Sequence, residues 1–436
     1  MRFTPARLLA LAIVLATGMT GYYFGVFIPR ARSARIQQQR AGGYFYGGDL
    51  YPLWLTSRQL TESRANPYTD ATTHAIQIGV YGRTLDPTRP GDPPPRYRAY
   101  SYPLSANLLA WPLSLFSFRL VQGVLSFLFP LLAIVGALLW LRALDVRVSP
   151  SLLAVFLLLY LTSYPVLEGL FALQPTIVVA TLLAAAGWAL ARDRYWFAGG
   201  VLALAAIKPQ LTVLLTTWLV MWALSNWRRR RGFVFGLAAC SAALIGASEV
   251  VLPGWIGLWL HALLEYRHYT LPPLLPLVLG PKIGLLVALA LLVLAIAWGW
   301  RSRNASASDA AFWLMLSFVL AVTVLALPMG DAIYEHILLV PGLLVIYLHR
   351  GQLFQPRGPR RWLAVLFVGV LFWQWFAACG LMIAGSVTPG ILANSSAILL
   401  PLRLAVPLPF LVVALVGLLI MSRLSQPAVP VTPPST

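Results

Sequence analysis

The sequence has few charged residues and almost no lysine. Asp, Glu, Lys and Arg make up 10% of the 436 residues, whereas apolar residues make up 59%, and the mean hydropathy is +0.77. A soluble domain of this length does not have such a composition. We therefore predict an all-α integral membrane protein. Lys208 and Lys282 are the only lysines, so the net charge of +19 comes from arginine.

Several functional classes are disfavoured by what is missing. The two cysteines, Cys240 and Cys379, lie in apolar runs and offer neither a disulfide framework nor a metal cluster. There is no Walker-type glycine loop, dinucleotide fingerprint or G-x-S-x-G elbow, which disfavours nucleotide-driven transport. Nucleic acid is not predicted as a partner, because arginines in short loops between apolar runs serve to orient a membrane protein.

Twelve apolar runs predict about twelve transmembrane helices. The runs fall near 8–28, 120–141, 150–167, 175–191, 196–207, 210–227, 232–252, 281–300, 310–328, 335–348, 362–384 and 398–421. Both termini then lie on one side, together with the arginine-bearing short loops, and this side is cytoplasmic. The first run resembles a secretory signal without a convincing cleavage site, so we predict that it is retained.

The predicted organisation is one polytopic membrane domain, 1–422, and a disordered cytoplasmic tail, 423–436. A large outer loop, 29–118, is its main hydrophilic part. Within it, 50–64 and 102–118 are predicted to form interfacial helices, the second being broken by prolines. The segment 86–98, DPTRPGDPPPRYR, is too rich in proline for helix or sheet and is predicted to be a mobile loop.

The stretch YFYGGDLYPLW, residues 44–54, places the carboxylate of Asp49 after two glycines and among aromatic side chains. One interpretation is a helix cap or a solvated loop acid. The other is a catalytic base, because burial at the membrane face raises the proton affinity of a carboxylate. Most of the acids, Asp49 included, fall on the predicted outer side, so we expect any chemistry to take place there.

Other polar groups lie at the outer ends of apolar runs. Lys208 either extends to the interface as a structural lysine or offers its charge to a phosphate. Glu168 is interpreted as capping an outer turn. The segment with Glu335 and His336 does not have the spacing of a standard zinc site, and we predict no metal or other cofactor. The short runs 196–207 and 335–348, which carry Lys208 and His336 at their outer ends, are predicted to line a cavity.

Six short motifs occur in an order that resembles family 87 glycosyltransferases. They are Gly48-Asp49, ANPY at 65–68, YSYPL at 100–104, LQPT at 173–176, AAIKPQ at 205–210 and YEHILLVPGLL at 334–344. These are membrane enzymes of the GT-C superfamily that use polyprenyl-phosphate sugars. The resemblance implies a GT-C-like helical bundle in the plasma (inner) membrane. It also implies inverting transfer of a sugar, mannose or arabinofuranose, to a cell-envelope glycolipid or glycan on the outer face.

The resemblance also implies roles for single residues. Asp49 matches the general base that acts on the acceptor hydroxyl, while Lys208 and His336 match positions that hold the donor phosphate. Leu173 stands where the family usually has glycine, which weakens a role for Gln174. The first loop contains no D-x-D or E-x-D pair, so metal dependence is not implied. Substrate contacts are predicted at Tyr51, Asn66, Tyr68, Tyr102, Gln174, Tyr334 and Glu335.

Two further interpretations come from other functional classes. A flippase or other transporter of lipid-linked saccharides would use Asp49 and Lys208 as gating charges, and inward-facing acids or an internal repeat would favour it. We find neither in the sequence. A structural partner in an envelope complex would depend on no single polar residue. Transfer from a sugar phosphate needs one base and cations, because the donor carries its own leaving group, unlike the substrate of a glycosidase.

Overall fold

The computed structural model describes residues 4–327, 332–354, 358–403 and 405–424, and their regular structure is entirely helical. The helices up to residue 205 are Pro5–Tyr22, the π-helical turn Tyr23–Phe27, Ile28–Gln37, Tyr51–Ser63, Asp70–Tyr81, Leu104–Ser114, Phe118–Ala143, Pro150–Leu161, Tyr164–Ala172, Thr176–Leu190 and Tyr195–Ala205. The remaining α-helices are Pro209–Ser225, Trp227–Val251, Trp255–Tyr266, Leu274–Leu279, Pro281–Arg301, Ala310–Ala326, Val340–Leu348, Arg350–Leu353, Pro359–Val387, Ser395–Ile398, Leu400–Arg403 and Leu408–Leu424. Ile333–Leu339 and Pro389–Ala393 are 3-10 helices.

Each of the twelve predicted runs coincides with an apolar helical segment. Among the described residues, six helices are long and apolar enough to cross a membrane: Pro5–Gln37, Phe118–Ala143, Trp227–Val251, Pro281–Arg301, Arg360–Val387 and Leu400–Arg423. Five segments are shorter: Thr176–Leu190, Tyr195–Ala205, Pro209–Ser225, Ala310–Ala326 and Ile333–Leu348. The all-helical membrane architecture is confirmed, while the number of crossings stays a prediction.

The run 150–167 does not form a single straight helix. Pro150–Leu161 and Tyr164–Ala172 meet at a bend of 57°. Pro165 has no backbone N–H with which to continue the hydrogen-bond ladder to Leu161, and the extended residue Ser163 precedes the second helix. The bend directs the end of the second helix toward the first outer loop, where Gly47 N–H donates a 3.0 Å hydrogen bond to the carbonyl oxygen of Phe171.

A single helix forms the centre of the molecule. Every residue of Ala310–Ala326 from Phe312 to Leu325 is buried, as expected for a helix that is apolar on all sides. It contacts Pro209–Ser225, Pro281–Arg301, Val340–Leu348 and Leu408–Leu424. The outer faces of its neighbours are apolar and exposed: Leu286, Val293 and Ile296 are 67%, 64% and 68% accessible. These faces are suited to contact with lipid.

Two helices pack at very short range through glycine. Tyr195–Ala205 lies against Trp227–Val251. A Cβ atom on Gly199 would lie 2.1 Å from the carbonyl oxygen of Phe233, and one on Gly236 would lie 2.2 Å from that of Trp196. Small residues permit this approach of two backbones in a membrane bundle. The contact fixes the helix that leads into Lys208.

Beyond the helix Ile28–Gln37, the predicted outer loop contains three helices, Tyr51–Ser63, Asp70–Tyr81 and Leu104–Ser114. The expected helices within 50–64 and 102–118 are therefore present, while their position at the membrane interface stays a prediction. Asn107 Nδ2 donates to Thr56 Oγ1 over 2.8 Å and Asn107 Oδ1 accepts from Tyr100 OH over 2.6 Å, in a buried network. This network joins the first and third of these helices.

The proline-rich segment 86–98 forms neither helix nor strand, as predicted. It is nevertheless anchored. Gln77 Nε2 donates to the carbonyl oxygens of Pro95 and Tyr97 over 2.6 and 3.0 Å, and Asp92 accepts two hydrogen bonds from Arg83. These contacts hold the segment against the helix Asp70–Tyr81 and determine where Arg98 lies.

The predicted tail, 423–436, begins inside the last helix, Leu408–Leu424. Residues 425–436 lie outside the described part of the chain.

Candidate functional site

The glycine pair before Asp49 permits a tight approach of two chain segments. Gly47 has φ +67°, a left-handed conformation that glycine adopts without strain, and a Cβ atom there would lie 2.9 Å from Leu173 Cδ1. The following helix, Tyr51–Ser63, has Leu50 at its N-cap and no side-chain cap. Asp49 therefore does not cap this helix, and its carboxylate is available for other contacts.

Both oxygens of Asp49 have partners. Oδ1 accepts a short hydrogen bond from an Arg98 nitrogen in a salt bridge, and Oδ2 accepts from Gln174 Nε2 over 2.6 Å. Burial by itself raises the pKa of Asp49, but the charge and hydrogen bond of Arg98 and the amide of Gln174 outweigh it. The resulting pKa is below the ordinary 3.8, so the increase expected from burial alone is reversed.

A buried polar chain continues from Asp49 through Gln174. Gln174 Oε1 lies 3.5 Å from Lys208 Nζ, which donates 2.8 Å hydrogen bonds to Thr176 Oγ1 and Glu335 Oε1. Lys208 and Glu335 form a salt bridge with side chains 5% and 2% exposed. Since an ammonium has three N–H donors, all of those on Lys208 have acceptors here. Lys208 is therefore not a lysine extended to the interface, and a phosphate ligand would have to displace one of its partners.

Leu173 supplies a local explanation for the departure from the family motif. Its backbone has φ 49° and ψ 51°, the left-handed region that favours glycine. The side chain is fully buried and packs against Gly47. Gln174 N–H donates to the carbonyl oxygen of Gly169 over 2.8 Å, and the amide side chain reaches Asp49. Gln174 thus contacts Asp49 even though Leu173 replaces the glycine that is usual in the family. That replacement had predicted a weaker role for Gln174.

Tyrosines surround this chain of polar groups. The Tyr334 ring centroid is 5.2 Å from Lys208 Nζ, within the range of a cation–π contact. Tyr102 and Tyr266 lie close enough to Asp49 to interact with its charge. Tyr266 comes from the end of the helix Trp255–Tyr266, so a segment far along the chain from Asp49 also contributes to the site. Aromatic faces of this kind suit the binding of sugars.

Three predicted residues have contacts outside the polar chain. Tyr51 packs on Tyr44 and Phe118, with ring centroids 5.2 and 5.0 Å apart. Asn66 Oδ1 accepts from the backbone N–H of Tyr68 and closes a turn, while Tyr68 OH donates to the carbonyl oxygen of Tyr102. These contacts support the shape of the outer loop, and substrate contact by Tyr51, Asn66 or Tyr68 stays a prediction.

His336 and Glu168 differ in how they relate to Asp49. His336 is buried in the 3-10 helix Ile333–Leu339, and its Nδ1 has no hydrogen-bond partner within the part of the chain that is described. No contact places it beside Lys208, so its phosphate role stays a prediction. Glu168 accepts a 2.6 Å hydrogen bond from Tyr23 OH and interacts with the charge of Asp49. It therefore borders the site and does more than cap a turn.

Three residues of the site, Arg98, Thr176 and Tyr266, were not predicted from the sequence. Arg98 lies 49 residues from Asp49 in a segment without helical periodicity, and one signal was its position just before the YSYPL motif. Among the described residues, no three His, Cys, Asp or Glu side chains are grouped as a metal site. The site has instead two ion pairs, Asp49–Arg98 and Lys208–Glu335, and several tyrosines. These groups can transfer a proton and bind an anion.

The comparisons with known proteins identify the family of this chain. A family model described as glycosyltransferase family 87 matches residues 100–328, more than half of the 436 residues. The matched region contains Tyr102, Gln174 and Lys208, while Asp49 and Glu335 flank it in sequence and join it in space. No curated protein and no solved structure gives a significant match. The chain belongs to glycosyltransferase family 87, and it is a membrane-embedded glycosyltransferase.

Proposed function

We propose that this glycosyltransferase moves a sugar, mannose or arabinofuranose, from a polyprenyl-phosphate donor to a hydroxyl of a cell-envelope glycolipid or glycan. The reaction inverts the anomeric centre and takes place on the outer face of the plasma membrane, with both termini in the cytoplasm. The observation that carries this proposal is the position of Asp49. It is a carboxylate 19% exposed, tied to Arg98 and Gln174 beside the buried pair Lys208–Glu335.

In the proposed reaction, Asp49 takes the proton of the acceptor hydroxyl while the acceptor oxygen bonds to the anomeric carbon. The bond between that carbon and the phosphate oxygen breaks, and polyprenyl phosphate leaves with the bonding electrons. A single carboxylate suffices because the phosphate needs no proton to leave. Gln174 orients Asp49 through its 2.6 Å hydrogen bond, and Lys208 fixes Gln174 and Glu335.

The low pKa of Asp49 requires an explanation in this mechanism, because a carboxylate that pairs with Arg98 is a weak base. Once Arg98 no longer pairs with Asp49, the pKa of Asp49 rises, because burial raises it and less positive charge lowers it. The free structure therefore corresponds to a resting form of the site. Gln174 keeps the carboxylate oriented in either form.

A lipid-borne donor fits the position of the site. Outside the membrane, nucleotide sugars are scarce, whereas a polyprenyl chain keeps its sugar phosphate at the membrane surface. The helix Leu104–Ser114 is apolar and Tyr51–Ser63 is amphipathic, and both contain a tryptophan, a residue type that settles at headgroup depth. We expect these helices to guide such a lipid toward Asp49.

The test is transfer by the purified protein in nanodiscs from a panel of radiolabelled polyprenyl-phosphate sugars to envelope glycolipids. We expect product from a polyprenyl-phosphate hexose or pentose and none from the matching nucleotide sugar. Direct use of the nucleotide sugar with no lipid intermediate would refute the mechanism, and movement of the lipid across the bilayer without transfer would favour a flippase.

Asp49→Asn tests the role of this residue, because it removes the basic carboxylate and keeps the shape of the side chain. We expect transfer to fall by about 100-fold or more. Asp70→Asn is the matched variant, because Asp70 is an exposed acid of the same loop that also pairs with an arginine, Arg96. It should transfer at the normal rate. A loss of less than tenfold in Asp49→Asn would reject this residue as the base.

A further inference from the structure

Three arginines surround one tyrosine beside Asp49. The guanidinium carbons of Arg35 and Arg40 lie 5.1 and 5.8 Å from the ring centroid of Tyr81. Arg98 Nε donates a 3.2 Å hydrogen bond to the hydroxyl of the same tyrosine. The end of the helix Ile28–Gln37, the residues after it and the proline-rich segment therefore bring their positive charges together. We call Arg35, Arg40 and Arg98 the arginine cluster.

The arginine cluster has more positive charge than its acidic partners neutralise. Arg98 pairs with Asp49, but neither Arg35 nor Arg40 forms a salt bridge within the described ranges. The charges of Arg40 and Arg98 both act on Arg35. All three side chains are partly accessible, while Tyr81 is buried. An accessible group of guanidinium ions with unmatched charge favours an anion, and its planar forks match the oxygens of a phosphate.

Asp49 is a weak base toward a substrate hydroxyl while Arg98 and Gln174 each contact one of its oxygens, because both contacts stabilise the ionised carboxylate. Gln174 is buried, and its amide is also tied to Lys208. Arg98, by contrast, is 29% exposed and lies in a segment without helix or strand, with φ 76°. Of the two partners of Asp49, Arg98 is the one that can move. Its second contact, with Tyr81, holds it within the arginine cluster.

We propose that the arginine cluster binds the phosphate of the lipid donor, and that this phosphate draws Arg98 away from Asp49 and frees the carboxylate to act as a base. The source of the phosphate rests on the proposed function. The exchange replaces one anion on Arg98 by another, so that little charge pairing is lost. Asp49 becomes basic only when a donor is present. When polyprenyl phosphate leaves, Arg98 returns to Asp49. Lys208, with its donors occupied, stays a structural partner of Glu335.

The binding test uses polyprenyl phosphate, which lacks the sugar, and the full-length protein in phosphatidylcholine nanodiscs. Arg98→Gln and Arg35→Gln should each weaken binding by about tenfold, the scale of one lost charged contact. Arg32→Gln is the matched control, because Arg32 is exposed on the same helix as Arg35, and it should bind normally. Unchanged affinity in both Arg35→Gln and Arg98→Gln would overturn the proposal.

The proposed movement of Arg98 from Asp49 to the phosphate also predicts a variant that binds more tightly. Asp49→Asn removes the competing anion, so it should tighten binding of polyprenyl phosphate by about threefold to tenfold. The double variant Asp49→Asn/Arg98→Gln should lose this gain. A structural role of the ion pair would weaken binding or leave it unchanged in Asp49→Asn, and either result would overturn the exchange.

Two outcomes separate this proposal from the proposed function. A phosphodiester glycerolipid, phosphatidylglycerol, should bind at least about tenfold more weakly. If it binds equally well and responds equally to Arg98→Gln, the cluster is a general anionic-lipid site and the proposal is wrong. If the binding pattern holds but no polyprenyl-phosphate sugar is a donor, the proposed function fails while the phosphate site stands. A normal KM for the donor in Arg98→Gln would disprove the phosphate site without contradicting the proposed transferase activity.

Discussion

The charge of Asp49 is controlled by three neighbours that come from different parts of the chain. Arg98 comes from the proline-rich segment, Gln174 from the turn after the bent helix pair, and Lys208 from the start of the helix Pro209–Ser225. Their charges and hydrogen bonds favour the carboxylate over the acid. Asp49, the proposed base, is therefore held ionised until its surroundings change.

The pH dependence of transfer should show how these neighbours affect the ionisation of Asp49. In the proposed mechanism Asp49 acts as a carboxylate, and its lowered pKa, which Arg98 and Gln174 cause against the effect of burial, keeps it ionised in mild acid. Arg98→Gln removes the largest opposing charge and leaves burial, which raises the pKa. The acidic limb of the kcat/KM profile, which reports the free enzyme, should therefore move to higher pH. Arg58→Gln, at an exposed arginine paired with Glu62, is the control. An unmoved limb in Arg98→Gln would show that Asp49 is not the group that titrates.

At this scale, the sequence allowed part of the site to be predicted. Asp49 was identified from the glycine pair and aromatic residues around it, and Lys208 and Glu335 from their positions at the ends of apolar runs. The structure connects all three. Arg98 was not identified, because one of ten arginines in a long loop has no periodic pattern that places it. The expectation that the pKa of Asp49 is raised was wrong for the same reason, since it considered burial without the charge of Arg98.

The ion pair Lys208–Glu335 connects three helical segments. Lys208 precedes Pro209–Ser225, Glu335 lies in Ile333–Leu339, and Thr176, the third partner, begins Thr176–Leu190. Because both charged side chains are buried, removal of one leaves the other without its partner ion. The contribution of the pair thus lies in fixing these elements around the site.

Lys208→Met should lower the stability of the purified protein by roughly 3–5 kcal/mol, because the carboxylate of Glu335 stays buried without the ammonium. The double variant Lys208→Met/Glu335→Gln should regain most of this loss. Thermal unfolding in detergent is the measurement. Normal stability in Lys208→Met would show that the pair is not formed in solution.

The close contact of Tyr195–Ala205 with Trp227–Val251 allows a test with a control on the same helix. Gly236→Ala would place a methyl group 2.2 Å from a backbone oxygen, so the helices must separate and the melting temperature should fall. Gly246→Ala adds a methyl where nothing lies within 4 Å. Its stability should stay equal or rise by about 0.5–1 kcal/mol, because alanine favours helix. Equal melting temperatures for the two variants would contradict the packing.

The helical elements could be predicted more completely than the site. Hydropathy alone located all twelve apolar segments, because burial in lipid or in a bundle requires the same residues. It did not predict the bend at 162–163, which depends on Ser163 and Pro165 within an otherwise apolar run. Nor did it show whether a short helix reaches both membrane surfaces, since that depends on tilt and on neighbouring helices.

At the scale of the whole molecule, the orientation decides on which side the site works. Arg89 is exposed in the outer loop, and Arg228 is exposed at the start of Trp227–Val251. In a background without Cys240 and Cys379, a cysteine replacing Arg89 should react with an impermeant thiol reagent in intact cells. A cysteine replacing Arg228 should react only after lysis. The reverse pattern would move the site to the cytoplasmic face.

The burial of Ala310–Ala326 has a consequence for how the protein is made. One of the helices that enclose it, Leu408–Leu424, is the last described helix of the chain. During synthesis, this central helix enters the bilayer before that neighbour exists, and lipid tails occupy the place of the missing helix. Lipid is as apolar as the side chains that later replace it, so the partly assembled bundle has only a small cost in free energy. Assembly of the core is therefore completed only after Leu408–Leu424 has entered the bilayer.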